Sequence, residues 1–160
     1  SVKALTARLE RMEAIEDIRA LVARYALAAD RKNDPAMFAP LFTEDAVWEA
    51  EGFSRYEGRA AIVRGLAEVA QSQILWSVHF MVSPLIELDS DLRQARCRWY
   101  IWELATIADR ADAKDHWLAG WYDSRVRREA AGWQFFKVEL DFRLMSPVSP
   151  PWQGKKTLAR

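Results

Sequence analysis

Two residues at the end of the first predicted helix, Tyr25 and Asp30, have side chains that could take part in proton transfer. At about 100° per residue, Tyr25 falls within about 60° of the line through Ile15, Ile18 and Val22, which is the apolar face. Tyr25 is therefore expected to point inward, beside alanines too small to fill the space around it. The pattern has two interpretations: a close-packed core in which Tyr25 is a buried aromatic residue, or a ligand pocket.

Asp30 raises the question of a partner. It lies about 140° from Tyr25 around an unbroken helix, so the two side chains converge only if the helix ends near residue 30. The polar run that follows, with Asp34-Pro35 as the predicted cap and first position of another helix, favours such an end. The helix dipole disfavours a carboxylate there by about 0.3–1 kcal/mol. An inward Asp30 would therefore need a proton donor or a cation, whereas an outward one would lie beside Arg31 and Lys32.

Two later residues, His79 and Arg143, could add chemistry to this helix end. His79 lies in an apolar, alternating run, on the same side as Ser77 and Met81. An inward histidine is either a satisfied core residue or a group that titrates near neutral pH. Arg143 alternates with charged residues at 137, 139 and 141, which favours a solvated face. A β-bulge would be needed to turn Arg143 inward.

The elements that must position these residues follow from the period of the apolar pattern. Spacings of three and four predict helices over 4–29 and 59–70, and the intervening segment predicts a short helix at 35–42, a strand at 46–50 and a loop at 52–58. From Trp76 onward the apolar positions alternate, which predicts antiparallel strands at 76–82, 85–88, 95–104, 117–126 and 133–144. This order is typical of an α+β domain in which one cone-shaped, curved sheet packs against N-terminal helices. We expect a single domain over 1–145, an apolar cavity inside the cone, and an irregular, proline-rich tail at 146–160.

Composition excludes several classes of function. The 160 residues have no formal net charge, and lysines and arginines are scattered among acids, so nucleic acid is not an expected partner. No apolar run is long enough for a membrane span, and we expect a cytoplasmic protein. The single cysteine, Cys97, excludes an intramolecular disulfide and is predicted to be a small buried residue. Neither a metal-ligand spacing nor a phosphate-binding loop occurs, so a reaction without metal or cofactor is expected.

Tryptophan is the one unusual feature of the composition. Eight are present, which suits either a wide apolar cavity or an aromatic interface between subunits. The predicted helices cover only one face of the sheet. The other face is therefore expected to be buried in a homodimer or a larger homo-oligomer.

Several signals in this order resemble the SnoaL-like branch of the nuclear transport factor 2-like superfamily. They are Tyr25 with Asp30, the segment Leu41-Phe42-Thr43-Glu44-Asp45-Ala46-Val47-Trp48, Gly58-Arg59-Ala60-Ala61-Ile62, His79 and the closing Gly132-Trp133 strand. The resemblance covers about residues 8 to 145 and implies a cystatin-like α+β barrel. It is closest to the dehydratases, and it implies that Asp30 and His79 form a proton-transfer dyad, that Tyr25 polarises a carbonyl, and that Arg143 matches an arginine of the last strand.

Together with these residues, the resemblance implies a cofactor-independent dehydratase or isomerase acting on an apolar cyclic or polycyclic carbonyl compound. His79, oriented by Asp30, would remove a proton beside the carbonyl, and Tyr25 would donate a hydrogen bond to the resulting oxyanion. Return of the proton to a leaving hydroxyl gives dehydration, and return to another carbon gives isomerisation. Two alternatives remain open: a non-catalytic module that binds an apolar ligand in the cone, and a purely structural dimerisation domain.

Overall fold

A computed structural model describes residues 1–109 and 112–160 of the chain. In these residues, three α-helices and one short 3₁₀ helix accompany six strands. In chain order the elements are α1 (Val2–Asp30), α2 (Pro35–Phe38), the 3₁₀ helix (Ala39–Leu41), β1 (Phe42–Ala50), β2 (Ser54–Glu57), α3 (Arg59–Gln73), β3 (Ile74–Leu88), β4 (Gln94–Asp109), β5 (Asp112–Glu129) and β6 (Gly132–Pro147).

The first helix, α1, ends at Asp30, as the sequence predicts. Asp30 is the last helical residue. The backbone N–H of Arg31 closes the final turn by donating to the carbonyls of Leu27 and Ala28. Lys32 and Asn33 then adopt left-handed backbone, with φ of 57° and 53°, which turns the chain away from the helix axis. The Asn33 side chain donates to the carbonyl of Leu66 on α3 at 2.9 Å. The helix end is therefore held against α3 and cannot extend past Asp30.

All six strands form one sheet in the order β2-β1-β6-β5-β4-β3. The neighbours are antiparallel except for β1 and β6, which are parallel and are separated in the chain by β2, α3 and β3 to β5. The long strands β3 to β6 shift register at several points, and these irregularities increase the twist and bend the sheet. The result is the curved sheet that the alternating pattern predicts.

The core lies between the concave inner face of the sheet and the helices. Buried side chains of α1 from Ala14 onward pack against alternate residues of β4, β5 and β6. Tyr25, Trp99 and Tyr122 are at the centre of this core, and the single cysteine, Cys97, is buried in it as expected. The α+β class and the packing of one curved sheet against N-terminal helices are confirmed.

Several element boundaries differ from those expected. The predicted loop at 52–58 contains the edge strand β2, and the predicted helix at 35–42 is split, because Pro40 cannot continue an α-helix and a 3₁₀ turn follows Phe38. The runs at 76–82 and 85–88 are one strand, β3, interrupted by a bulge where Ser83 has a φ of 55°. The first three turns of α1 extend beyond the core, with Leu5, Leu9 and Met12 exposed.

The C-terminal tail begins slightly later than expected, because β6 continues through Pro147. Beyond it the chain is irregular but attached to the sheet. The buried carboxylate of Asp115 on β5 accepts from the Trp152 backbone N–H and from Lys156 Nζ, both at 2.7 Å. The Trp76 indole N–H donates to the Thr157 carbonyl at 2.9 Å. In the part of the chain that the structure describes, no helix is both long and apolar enough to cross a membrane.

Candidate active site

Asp30 and His79 meet where the end of α1 packs against β3. Asp30 Oδ1 lies 2.9 Å from His79 Nδ1 and also accepts the backbone N–H of His79 at 2.6 Å. Both side chains are largely withdrawn from solvent, with 13% of Asp30 and 9% of His79 exposed. Because Asp30 points inward, it meets His79, which is the proton-donating partner that a carboxylate at a helix C-terminus needs. The structure therefore brings these two residues together as the resemblance implies.

A third ionisable residue, Glu103 on β4, completes the cluster and was not among the residues singled out from the sequence. Its Oε1 lies 3.1 Å from His79 Nε2, and 5% of its side chain is exposed. His79 and Glu103 are directly opposite each other on neighbouring strands, on the inner face. The available signal was parity: the inward row of β4 holds Ala95, Cys97, Trp99, Ile101, Glu103 and Ala105, in which one charged residue interrupts an apolar series.

The two carboxylates determine the charge of His79. Burial alone would lower the pKa of His79, but the nearby charges of Glu103 and Asp30 and their hydrogen-bonding contacts outweigh burial and raise it to about 9. The ring is therefore an imidazolium at neutral pH, with one nitrogen facing each carboxylate. We expected His79, oriented by Asp30, to remove a proton from the substrate, but in the structure its second nitrogen contacts Glu103.

Tyr25 is inward, as its helical phase predicts, and almost completely buried. Its ring makes edge-on contacts with five aromatic rings, those of Phe38, Phe42, Trp99, Tyr122 and Phe135. The hydroxyl oxygen accepts the indole N–H of Trp48 at 2.9 Å. Burial raises the pKa of Tyr25 to about 12, against the opposing effect of Trp48 and Tyr122, and the charge of Glu103 adds to the increase. Tyr25 is thus a neutral hydroxyl whose own proton is not used in the bond with Trp48.

Arg143 does not join the cluster of Asp30, His79 and Glu103. The pairing of β5 with β6 shifts by one residue between Ala119 and Gly120, so a β-bulge does occur at Arg143. The bulge leaves Arg143 on the outer face, where its guanidinium lies 5.1 Å from the centre of the Trp121 ring and its side chain is 60% exposed. Arg143 therefore lies on the solvated face of the sheet, as the alternating pattern predicts.

A groove of about 730 Å³ is lined by outward residues such as Arg96, Arg98 and Asp123, together with the core residues Trp99 and Tyr122. Asp30, His79, Glu103 and Tyr25 are not among its lining residues. Within residues 1–109 and 112–160, no group of histidine, cysteine and acidic residues is arranged to hold a metal ion. The candidate site is therefore a buried cluster of ionisable groups beneath α1.

A curved six-stranded sheet packed against helices, with an ionisable cluster buried beneath α1, has the α+β fold of nuclear transport factor 2-like, cystatin-like proteins. The family description of the SnoaL-like domain matches residues 10–139, and the chain belongs to this family. No curated protein matches the sequence.

Three solved structures have the same fold. A LinA-type3 hexachlorocyclohexane dehydrochlorinase from Novosphingobium barchaimii LL02 is 18% identical, with a TM-score of 0.83 over 92% of this chain and 99% of that chain. A candidate aromatic ring hydroxylase from Novosphingobium aromaticivorans is 24% identical, with a TM-score of 0.75 over 86% and 94%. A candidate scytalone dehydratase from the same organism is 21% identical, with a TM-score of 0.72 over 96% and 95%. At these identities the likeness shows the fold alone.

Proposed function

We propose that the chain is a cofactor-independent lyase or isomerase that moves a proton on an apolar cyclic or polycyclic carbonyl compound. The observation that carries the proposal is the 2.9 Å contact between Asp30 Oδ1 and His79 Nδ1, in a largely buried site. A buried carboxylate on one ring nitrogen fixes the orientation of the imidazole and increases its basicity. The dehydrochlorinase and the candidate scytalone dehydratase that share the fold are named for eliminations, which is the same class of reaction.

The proposed steps use His79, Asp30 and Tyr25. In its neutral form His79 accepts the substrate C–H proton on Nε2, while the electron pair of that bond moves to the carbonyl oxygen. The Tyr25 hydroxyl donates to the resulting oxyanion, and Asp30 balances the imidazolium charge. His79 then returns the proton to a leaving hydroxyl, which departs as water, or to another carbon. Substrate must displace Glu103 from Nε2 for the first step, because the two atoms are 3.1 Å apart in the structure.

The substrate is expected to be uncharged. The buried cluster holds two carboxylates and one imidazolium, so an anionic group brought beside it would be repelled. Arg143, the cation that could have offset such a charge, lies on the outer face. A neutral ketone or enone, which develops negative charge only in the reaction, fits this arrangement better than a carboxylic acid.

The experiment is solvent deuterium incorporation into a panel of neutral cyclic ketones and enones, followed by mass spectrometry or NMR. Exchange catalysed by the wild-type protein should fall by about 10²–10⁴-fold in His79→Gln, which removes the base. It should fall by about 10²–10³-fold in Tyr25→Phe, which removes one oxyanion donor. Glu87→Gln is the control, because Glu87 is on the same strand as His79 but pairs with Arg98 on the outer face. If tightly bound ketones show no exchange above the level of His79→Gln, the proposal fails for that class.

A second candidate is a non-catalytic module that binds an apolar ligand or serves only in dimerisation. It is favoured by the enclosure of Tyr25 among five rings and by the contacts that occupy both nitrogens of His79. Under this alternative the ionisable cluster is a structural part of the core. Tyr25→Phe would then reduce stability, because the Trp48 N–H loses its acceptor, and ketone binding, measured by tryptophan quenching, would proceed without exchange.

A further inference from the structure

Glu103 carries a carboxylate that is buried in the core, and neither apolar packing nor contact with solvent explains why a charged group lies there. It faces inward from β4, between the inward residues Ile101 and Ala105. Burying a charged group among apolar side chains is costly unless an opposite charge and hydrogen-bond donors compensate. The nearest compensating group is His79, whose Nε2 lies 3.1 Å from Glu103 Oε1. The burial of Glu103 therefore depends on the charge that His79 carries.

The geometry places Glu103 opposite Asp30 with the imidazole between them. Asp30 approaches Nδ1 from the end of α1, and Glu103 approaches Nε2 from the neighbouring strand β4. The register of β3 and β4 pairs His79 directly with Glu103, so the contact is fixed by the sheet and not by a mobile loop. A carboxylate beside each ring nitrogen favours the imidazolium, which carries a proton on both nitrogens, over the neutral imidazole, which has a single N–H.

We propose that Glu103 is a positioning residue that keeps His79 doubly protonated. The resting site then contains an imidazolium, and His79 can act as a base only after Glu103 moves away from Nε2. The inference deepens and rests on the proposed function, because it concerns the protonation of the proposed base. Glu103 acts through His79, and the substitution of its charge should change the pH at which His79 titrates.

The other ionisable groups around His79 do not supply a competing charge. From α1 it is faced by Asp30, and Tyr25 on the same helix is neutral, with a pKa of about 12. From β5, Tyr122 is also neutral, because burial and the neighbouring Tyr25 raise its pKa. The buried residues of α3 are apolar or glycine, and its ionisable side chains are at positions that are not buried. Glu103 and Asp30 are the charged groups whose attraction raises the pKa of His79.

The test is a titration of His79 by NMR in the full-length protein. The chain has two histidines, so a His116→Asn variant assigns both sets of ring signals. We expect a midpoint near pH 9 for His79 in the wild type, and a fall of about one unit or more in Glu103→Gln, the typical effect of one neighbouring charge. Asp30→Asn should also lower it, and the Glu87→Gln control should not. Glu103→Asp, which keeps the charge, should recover part of the shift.

Two results would overturn the inference. One is a wild-type midpoint near the ordinary histidine value of about 6.5, a measurement that needs no variant to fold. The other is a Glu103→Gln protein that is folded by circular dichroism and has the midpoint of the wild type.

The pH profile of deuterium exchange separates this inference from the proposed function. If both hold, exchange rises with pH along the titration of His79, and Glu103→Gln moves the whole profile to lower pH by the shift seen in NMR. If the NMR midpoint shifts but no variant exchanges deuterium, Glu103 controls the charge of His79 and the proposed function fails. If exchange occurs with one unchanged profile and midpoint in Glu103→Gln, the proposed function stands and the role of Glu103 is disproved.

Discussion

Charge is distributed unevenly over the ionisable residues of the core. His79 is held between Asp30 and Glu103, whereas Tyr25 and Tyr122 are buried as neutral hydroxyls. The pKa values of His79, Tyr25 and Tyr122 differ between the folded and the unfolded chain, so each of these three residues makes stability depend on pH. The pH dependence that each group contributes can be considered separately, because histidine and tyrosine titrate in different ranges of pH.

For His79 we expect the free energy of unfolding to decrease between about pH 6.5 and pH 9. The folded-state pKa of about 9 exceeds the unfolded value of about 6.5, so the folded chain binds the extra proton in this interval. The stabilisation is complete below pH 6.5 and is lost as pH rises through about 9. Its size is on the order of 3 kcal/mol. Urea denaturation at a series of pH values from 6 to 9 would measure it.

His79→Gln is the reference for this measurement. Burial raises the pKa of the Cys97 thiol to about 12, so Cys97 also reduces stability as the unfolded thiol ionises above about pH 8.5. That contribution is common to the wild type and His79→Gln, and the difference between the two proteins isolates the histidine. A difference that stays constant from pH 6 to pH 9 would contradict the raised pKa.

Residue roles were predictable from the sequence to the extent that they followed from a single element. The helical phase of Tyr25 and the strand parity of His79 both gave the correct inward direction. Parity within β4 indicates that Glu103 points inward, but its role depends on the register that places it opposite His79 on β3. Pairing register is set by turns and bulges as well as by alternation, and for this reason sequence reasoning overlooked Glu103.

At the scale of elements, the pairing of β5 with β6 is interrupted by a bulge at Arg143. Gly120 on β5 lies opposite this irregularity, and a Cβ atom added to Gly120 would be 2.0 Å from the backbone oxygen of Asp141. Real Cβ atoms do not approach backbone so closely, and a backbone atom in a paired strand cannot move aside as a flexible side chain can. The glycine is thus needed for the close approach of β5 and β6.

We expect Gly120→Ala to destabilise the protein by about 1–3 kcal/mol, the usual cost of steric overpacking in a packed region. Ala119→Ser is the matched control at the preceding position. Because Ala119 is half-buried, this substitution should change stability by less than about 0.5 kcal/mol. Chemical denaturation of the three proteins would compare them. Equal midpoints for Gly120→Ala and the wild type would show that the two strands are not held as closely as the structure indicates.

The elements themselves were more predictable than their ends. Helical and alternating periods identified α1, α3 and the long strands, because each extends over several turns or repeats. The four-residue strand β2 was missed, since Ser54–Glu57 is too short and too polar to show alternation and is formed by pairing with β1. The bulges at Ser83 and Arg143 have no distinct periodic signal, and so the sequence did not determine their positions.

At the scale of the whole molecule, the two faces of the sheet differ in what covers them. The inner face packs against α1 and α3, whereas the outer face exposes a series of neighbouring aromatic rings. Phe80, Trp102 and Trp117 lie on three adjacent strands with ring centres 5.9 and 5.7 Å apart. An exposed apolar patch of this kind commonly marks an interaction site. Further along β4 and β5 on the same face, ion pairs such as Arg96 with Asp123 present both signs of charge, which allows this surface to face a second copy without net repulsion.

We therefore propose that the outer face is buried in a homodimer or a larger homo-oligomer. Light scattering at micromolar concentration should give the mass of two or more chains, and Trp102→Asp should reduce it to that of one chain, because a charge replaces a large ring at the centre of the patch. Leu9→Asp is the matched control: Leu9 is also apolar and exposed, but it is on the part of α1 that extends beyond the core. A monomeric wild type would contradict the proposal. Dissociation by Leu9→Asp and not by Trp102→Asp would move the interface from the sheet to the first helix, since each substitution disrupts only the surface that contains it.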